Sequence, residues 1–190
     1  MNRRLFLQLP IVAPALAFAL PPLADQRPVT PPQKGVLVRA GEDRSGQPFK
    51  FRGATFTVKV SGKDTNGHCV IFDTLRHEKV STSLHTHIDC DEWFFVIDGE
   101  FKFQVGDETL RLKAGDSLLG PLGVPHAFVK TSEGTARLIV MHQPAGNMEE
   151  YFRTTSQLTD SQLADQSPEV RRARAEKYGM RVVGPPLTPD

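Results

Sequence analysis

Four residues of this chain could do chemistry together: His85, His87, Glu92 and His126. The first three lie in LHTHIDCDEW, residues 84–93, which also holds Cys90, Asp89 and Asp91. His85 and His87 are two apart, so on a strand both side chains leave from the same face. Glu92 follows a bend that IDCD can make and leads the apolar run WFFVI, whereas His126 comes later, after the turn-rich GPLGVP. Three imidazoles and one carboxylate converging inside a barrel suit a divalent transition metal, with positions left for water, substrate or dioxygen. Each piece alone has a plainer reading. The histidine pair could be ordinary strand residues, Glu92 part of a solvated acidic bend, and His126 a turn residue.

Positioning such a set takes closely spaced strands, and the chain between Val36 and Met141 reads that way. FVIDGEFKFQV predicts two apolar strands joined as a hairpin at Asp98-Gly99, a pair suited to a tight type I′ turn. Phe101, Phe103 and Val105 alternate with Lys102 and Gln104, the period of a half-buried strand. Further turns are expected at Gly106-Asp107 and Ala114-Gly115, a rhythm that suggests an antiparallel barrel or sandwich. After Pro144, NMEEYFRTTSQL and SPEVRRARAEKYGM predict helices, the second with Ser167 as N-cap, Pro168 just inside and Gly179 at its end. GPPLTPD reads as a terminal tail. The expected organisation is therefore a leader at 1–19, a Pro-rich arm at 20–35, an all-β barrel at 36–143 and a helical segment with tail at 144–190.

The leader has a charged start, an apolar run from Leu9 to Leu20 and an Ala-Phe-Ala at 17–19. That is signal-peptide grammar, too short and too interrupted by proline for a membrane span. Within it, NRRLFLQ is similar to a twin-arginine export signal through Arg3, Arg4, Phe6 and Leu7. The expectation is export to the periplasm. Removing residues 1–19 takes away two arginines and no acids, lowering the net charge from +1 to −1. With no basic stripe, nucleic acid is not an expected partner. In an oxidising compartment Cys69 and Cys90 could pair, and spacing alone leaves that open, along with a metal role for Cys90.

Taken together, the spacings carry more than their parts. His85-x-His87-x4-Glu92-x6-Gly99 resembles the first motif of the cupin superfamily, and Gly115-x5-Pro121-x-Gly123-x2-His126 resembles the second. The likeness runs from about Thr65 to Gln143, more loosely to YGMRVVGPP, and is nearest in character to single-domain, quercetin-dioxygenase-like cupins. Lys79 stands where the family often has glycine, and Lys130 where it often has asparagine.

The resemblance implies a single jelly-roll barrel with an N-terminal arm and C-terminal helices, commonly paired as a homodimer. It also implies that His85, His87, Glu92 and His126 hold one metal, with Mn, Fe, Co, Ni, Cu and Zn all compatible with that set. Glu92 could also accept a proton from a bound enol or phenol. Phe94, Phe103, Phe128 and Met141 are candidates for an apolar lining, each with core packing as the alternative. Trp93 should face away from the site. His68, His77 and His142 lack motif support and are expected to be structural or exposed. The function this implies is metal-dependent oxidation of a phenolic or enolic small molecule, with non-catalytic ligand or metal binding and metal-assisted isomerisation or elimination as alternatives.

Overall fold

The computed structural model describes Pro32 and residues 34–189; the expected leader and nearly all of the Pro-rich arm lie outside them. Eleven strands and three helices follow one another. In order they are β1 (Phe49–Phe51), β2 (Ala54–Val60), β3 (Val70–Arg76), β4 (Ser83–His87), β5 (Asp91–Asp98) and β6 (Glu100–Val105). Then come β7 (Glu108–Lys113), β8 (Ser117–Gly120), β9 (His126–Lys130), β10 (Ala136–Gln143), α1 (Met148–Thr155), α2 (Asp160–Ala164), α3 (Pro168–Lys177) and β11 (Met180–Pro186). They form two antiparallel sheets, ordered β1-β2-β3-β10-β5-β8 and β11-β4-β9-β6-β7. This is the jelly-roll arrangement, two sheets facing each other across one core.

The alternation read from the sequence sets that core. Phe101 and Phe103 are fully buried, while Lys102 and Gln104 are not. Along β5, Glu92, Phe94 and Val96 point inward, and Trp93 and Phe95 stack on the outer face with ring centroids 5.8 Å apart. Trp93 thus faces away from the interior, as expected.

Two local expectations are corrected. The strands on either side of Asp98-Gly99 do not pair: β5 lies in the six-stranded sheet and β6 in the five-stranded one. The pair makes a corner between sheets instead of a hairpin. Gly99 keeps its left-handed φ of 83°, and a Cβ there would meet the Ala136 Cβ at 2.5 Å. The same turn chemistry serves either geometry, and only the distant partners β10 and β9 separate them. The two-residue hairpin is at Gly106-Asp107, where Val105 faces Glu108. The second correction is at the C-terminus, where residues 184–186, expected to begin the tail, instead complete β11 (Met180–Pro186), antiparallel to β4. Its prolines are tolerated because β11 is an edge strand.

The helices form as their capping residues dictate. The Ser167 side chain accepts from the Val170 N–H, with Pro168 in the first turn. On α1, Phe152 packs against Phe51, Phe56 and Phe72 at 5.0–5.4 Å, so this helix covers one end of the sheets. The two family departures have a joint structural role. Lys79 pairs with Glu133 at 2.5 Å, and the buried Lys130 donates to the carbonyls of His77 and Gly134. Both lysines tie the β3–β4 loop to the β9–β10 turn. Among the described residues, no helix is long and apolar enough to cross a membrane.

Candidate metal centre

β4 ends with His85 and His87, β5 carries Glu92 near its start, and β9 begins at His126. His85 lies opposite His126 in the β4–β9 register and opposite Val182 of β11 on its other side. The turn before β9 is pinned to the histidine strand: Gly123 N–H donates to the His87 carbonyl at 2.9 Å. Leu122 N–H donates to Asp91 Oδ1 at 2.7 Å, so Asp91 holds the same turn. Gly120, opposite Glu92, leaves room for the His126 ring, whose Nδ1 would lie 3.2 Å from a Cβ there.

One donor atom from each of His85, His87, Glu92 and His126 lies within 4.8 Å of the others. His126 Nε2 and His87 Nε2 reach the same Glu92 oxygen, Oε2, at 2.8 and 3.1 Å, and His85 Nε2 is 4.0 Å from it. His85 Nδ1 meets the Ser83 carbonyl at 2.8 Å and His126 Nδ1 the Val124 carbonyl at 3.0 Å. A carbonyl only accepts, so each of these Nδ1 atoms carries the proton. In the neutral ring that leaves Nε2 as a lone pair aimed at a carboxylate, an arrangement that calls for a cation or an added proton between them. The donor set therefore fits a divalent transition metal, with the backbone carbonyls orienting two of the ligands.

The electrostatics agree. Burial and the neighbouring His126 push His85 down to about 4, leaving it neutral and ready to ligate near pH 7. Burial lowers His126 too, but the hydrogen bond to Glu92, the Glu92 charge and the Val124 carbonyl together outweigh it and leave His126 raised. Burial alone would raise the Glu92 carboxyl, yet the charge of His142 and hydrogen bonds from the histidines hold it well below its usual range.

His142 is the residue that sequence reasoning missed. It is fully buried on β10, with Nε2 3.2 Å from Glu92 Oε1, the oxygen the other histidines leave free, though not aligned as a hydrogen bond. Its ring packs edge-on to Phe72 and His87 at 6.0 and 5.2 Å. His68 and His77 are exposed, as expected. Cys90 is buried and free, outside the ligand group, with burial and the Asp89 charge raising its thiol far above the ordinary range. Cys69 is also free.

A cavity of about 530 Å³ opens onto His85, His87 and Glu92. Of the four expected lining residues, only Phe128 faces it. Phe94 and Phe103 are fully buried core, 4.9 Å apart, with Phe94 edge-on to the His126 ring at 6.2 Å. Met141 is corrected outright. On β10 the inward residues are Leu138, Val140 and His142, so Met141 lies on the outer face opposite Trp93. The walls come instead from residues not singled out in the sequence: Phe51, Phe56, Tyr151 and Phe152, with Arg76 among them.

Comparison with known proteins gives the same picture. The family model for the cupin domain (Cupin_2) matches residues 72–142, which contain all four candidate ligands and His142. Over 97 residues the chain is 36% identical to the Bacillus subtilis uncharacterized protein YdbB, covering 50% of this chain and 79% of that one. Over 112 residues it is 29% identical to a quercetin 2,3-dioxygenase from Bacillus subtilis, 59% of this chain but only 32% of that enzyme's length. Among solved structures, KdgF from Halomonas sp. superposes with a TM-score of 0.52 at 16% identity, over 61% of this chain and 99% of KdgF, a likeness of fold. With both motifs inside the matched segment, the jelly roll around them and a metal-type donor set at their meeting point, the chain belongs to the cupin family.

Proposed function

We propose that this protein is a metal-dependent oxidoreductase acting on a phenolic or enolic small molecule. The observation that carries the reading is the meeting of a three-histidine, one-carboxylate donor set with an aromatic-walled cavity of about 530 Å³. That volume lies in the range of small-molecule sites. The partial match to a quercetin 2,3-dioxygenase supports an aromatic, oxygen-bearing substrate.

His85, His87, Glu92 and His126 would hold the ion, which supplies polarisation of a bound hydroxyl and a template for its reaction with dioxygen. The chain's own contributions follow from its geometry. Phe51, Phe56, Phe128 and Phe152 enclose the substrate and exclude water. Glu92 Oε1, the oxygen that His87 and His126 do not take, would accept the hydroxyl proton, with His142 Nε2 3.2 Å from it.

An oxygen electrode run across a panel of flavonols and enediols tests this reading. Uptake by wild type that disappears in Glu92→Gln while metal content is retained supports it. No uptake with any metal overturns it in favour of isomerisation, elimination or simple ligand binding. We further propose export by the twin-arginine route, which carries proteins already folded. A barrel folding in the cytoplasm could trap a weaker binder such as Mn or Fe before meeting Cu or Zn. Metal analysis of protein expressed with its leader intact tests this, since predominantly Cu or Zn counts against it. A homodimer through the outer face of the six-stranded sheet completes the proposal.

A further inference from the structure

The geometry points to Arg76 as the anchor for a carboxylate on the substrate, making the preferred ligand of this cavity a phenol or enol that also bears a carboxylate. The inference deepens the metal-dependent reading above and rests on it for the position of the hydroxyl.

Arg76 ends β3 on the inward stripe that also holds Phe72 and Thr74, and it lines the same cavity as His85, His87 and Glu92. It is 9% exposed. The guanidinium carbon lies 4.9 Å from the ring centroid of Phe56 and 4.9 Å from that of Phe128, so aromatic faces cover it. Nε donates to Thr74 Oγ1 at 3.1 Å, and the Thr74 hydroxyl donates to the Leu138 carbonyl at 2.7 Å. The side chain is thus aimed from β10. Its terminal amino groups have no hydrogen-bond partner among the described residues, and no carboxylate comes within ion-pair distance.

A buried, unpaired guanidinium is costly, because a charge taken from water must be repaid by a partner. Cation–π contacts leave its terminal N–H donors unsatisfied, and a guanidinium presents such donors in parallel pairs matched to a planar carboxylate. The surrounding charge agrees. Arg52, Arg171, Arg172 and Arg174 also line the cavity, against only Glu78 and Glu92 among the acids. Such a rim draws anions inward. Burial, partly offset by the Glu92 charge, lowers Arg76 only to about 10, so it stays cationic at neutral pH. The Thr155 hydroxyl, buried and without a partner, faces the same cavity and offers a further polar contact.

The test is calorimetric titration of the full-length, metal-loaded protein with 2-hydroxybenzoate and with its uncharged analogue 2-hydroxybenzamide. The carboxylate should bind at least about tenfold more tightly, the worth of one charge-assisted hydrogen bond. Arg76→Gln should abolish the preference with metal content unchanged, and Arg76→Lys should keep part of it. A preference that survives in Arg76→Gln overturns the inference and moves anion recognition to the ion or to the helix arginines. Absence of any preference in wild type overturns it too, with no dependence on whether a variant folds. If the chain holds no metal, the metal reading fails instead. Arg76 is then judged by the same pair of probes on the metal-free protein.

Discussion

His142 Nε2 stands 3.2 Å from Glu92 Oε1, while the other oxygen of that carboxylate takes His87 and His126 at 3.1 and 2.8 Å. Imidazole nitrogens therefore stand beside both oxygens of the carboxylate, and the one at Oε1 belongs to a residue outside the four-residue donor group. A neighbour of this kind sets the orientation and basicity of a metal-binding carboxylate.

From this we expect His142→Phe to weaken metal affinity by about 10- to 100-fold while leaving the fold intact. Competition titration against a chelator reads the affinity, and the electron paramagnetic resonance spectrum of the Mn-loaded protein reads the change in ligand geometry. An unaltered affinity and spectrum would show His142 to be only a packing residue between Phe72 and His87.

Metal loading should also show in stability. A ligand that binds only the folded chain stabilises it by about 2.7 kcal/mol when present at a hundred times its Kd. The thermal midpoint should rise on adding a divalent ion and return on adding a chelator, with one ion per chain by elemental analysis. Because His126 must lose its proton to ligate and Glu92 raises its pKa, affinity should climb as pH rises through and beyond the ordinary histidine range. Proton release on binding, measured in buffers of different ionisation enthalpy, checks the sign. His87→Ala should abolish both the ion and the shift in midpoint.

How far the sequence could lead is clearest on β10. In ARLIVMHQ, Leu138 and Val140 are as apolar as Ile139 and Met141, so the period of two gives no parity. Choosing Met141 as a lining residue turned His142 outward; the register with β3 and β5 turns it inward. The four-residue donor group was legible because spacing within one short stretch and one turn carried it. Arg76 and the α1 aromatics were not, because what brings them to the cavity is pairing between strands distant in sequence and the docking of a helix over the sheet ends. The same reason explains Asp98-Gly99, whose local chemistry could not say which sheet came next.

The outer face of the six-stranded sheet presents an apolar row: Leu119 beside Trp93, Trp93 beside Met141, and Met141 beside Ile71. Leu119 is 50% exposed, and Ile97 adds to the same face of the sheet. A contiguous apolar face of this kind favours a second copy of the chain over water. Light scattering coupled to size exclusion should find a dimer for wild type and a monomer for Leu119→Glu, with unchanged circular dichroism. A monomeric wild type removes the proposal.

Acid should loosen the helical cover before it reaches the barrel. Asp43 is buried and accepts from Val58 N–H at 2.7 Å, from Ser45 and from Arg153 Nη2 at 2.8 Å, while Arg153 Nε also meets Glu149 at 3.1 Å. This network fastens α1 to the segment before β1, and α1 supplies Tyr151, Phe152 and Thr155 to the cavity. Burial raises the Asp43 carboxyl, but the hydrogen bonds from Val58, Ser45 and Arg153 outweigh it and leave the folded pKa below the ordinary 3.8. The unfolded chain therefore binds the proton first. The contribution is complete above the unfolded value and is lost as pH falls through the lowered folded one. Asp43→Asn should cost about 1–3 kcal/mol at neutral pH, since it removes the charged acceptor shared by Val58, Ser45 and Arg153 while Arg153 keeps Glu149. It should also flatten the acid limb of the stability curve. Hydrogen exchange on α1 amides locates the effect. Protection lost first on α1, with β5 and β10 still closed, is the expected pattern, and simultaneous loss would mean the helix is not separately fastened.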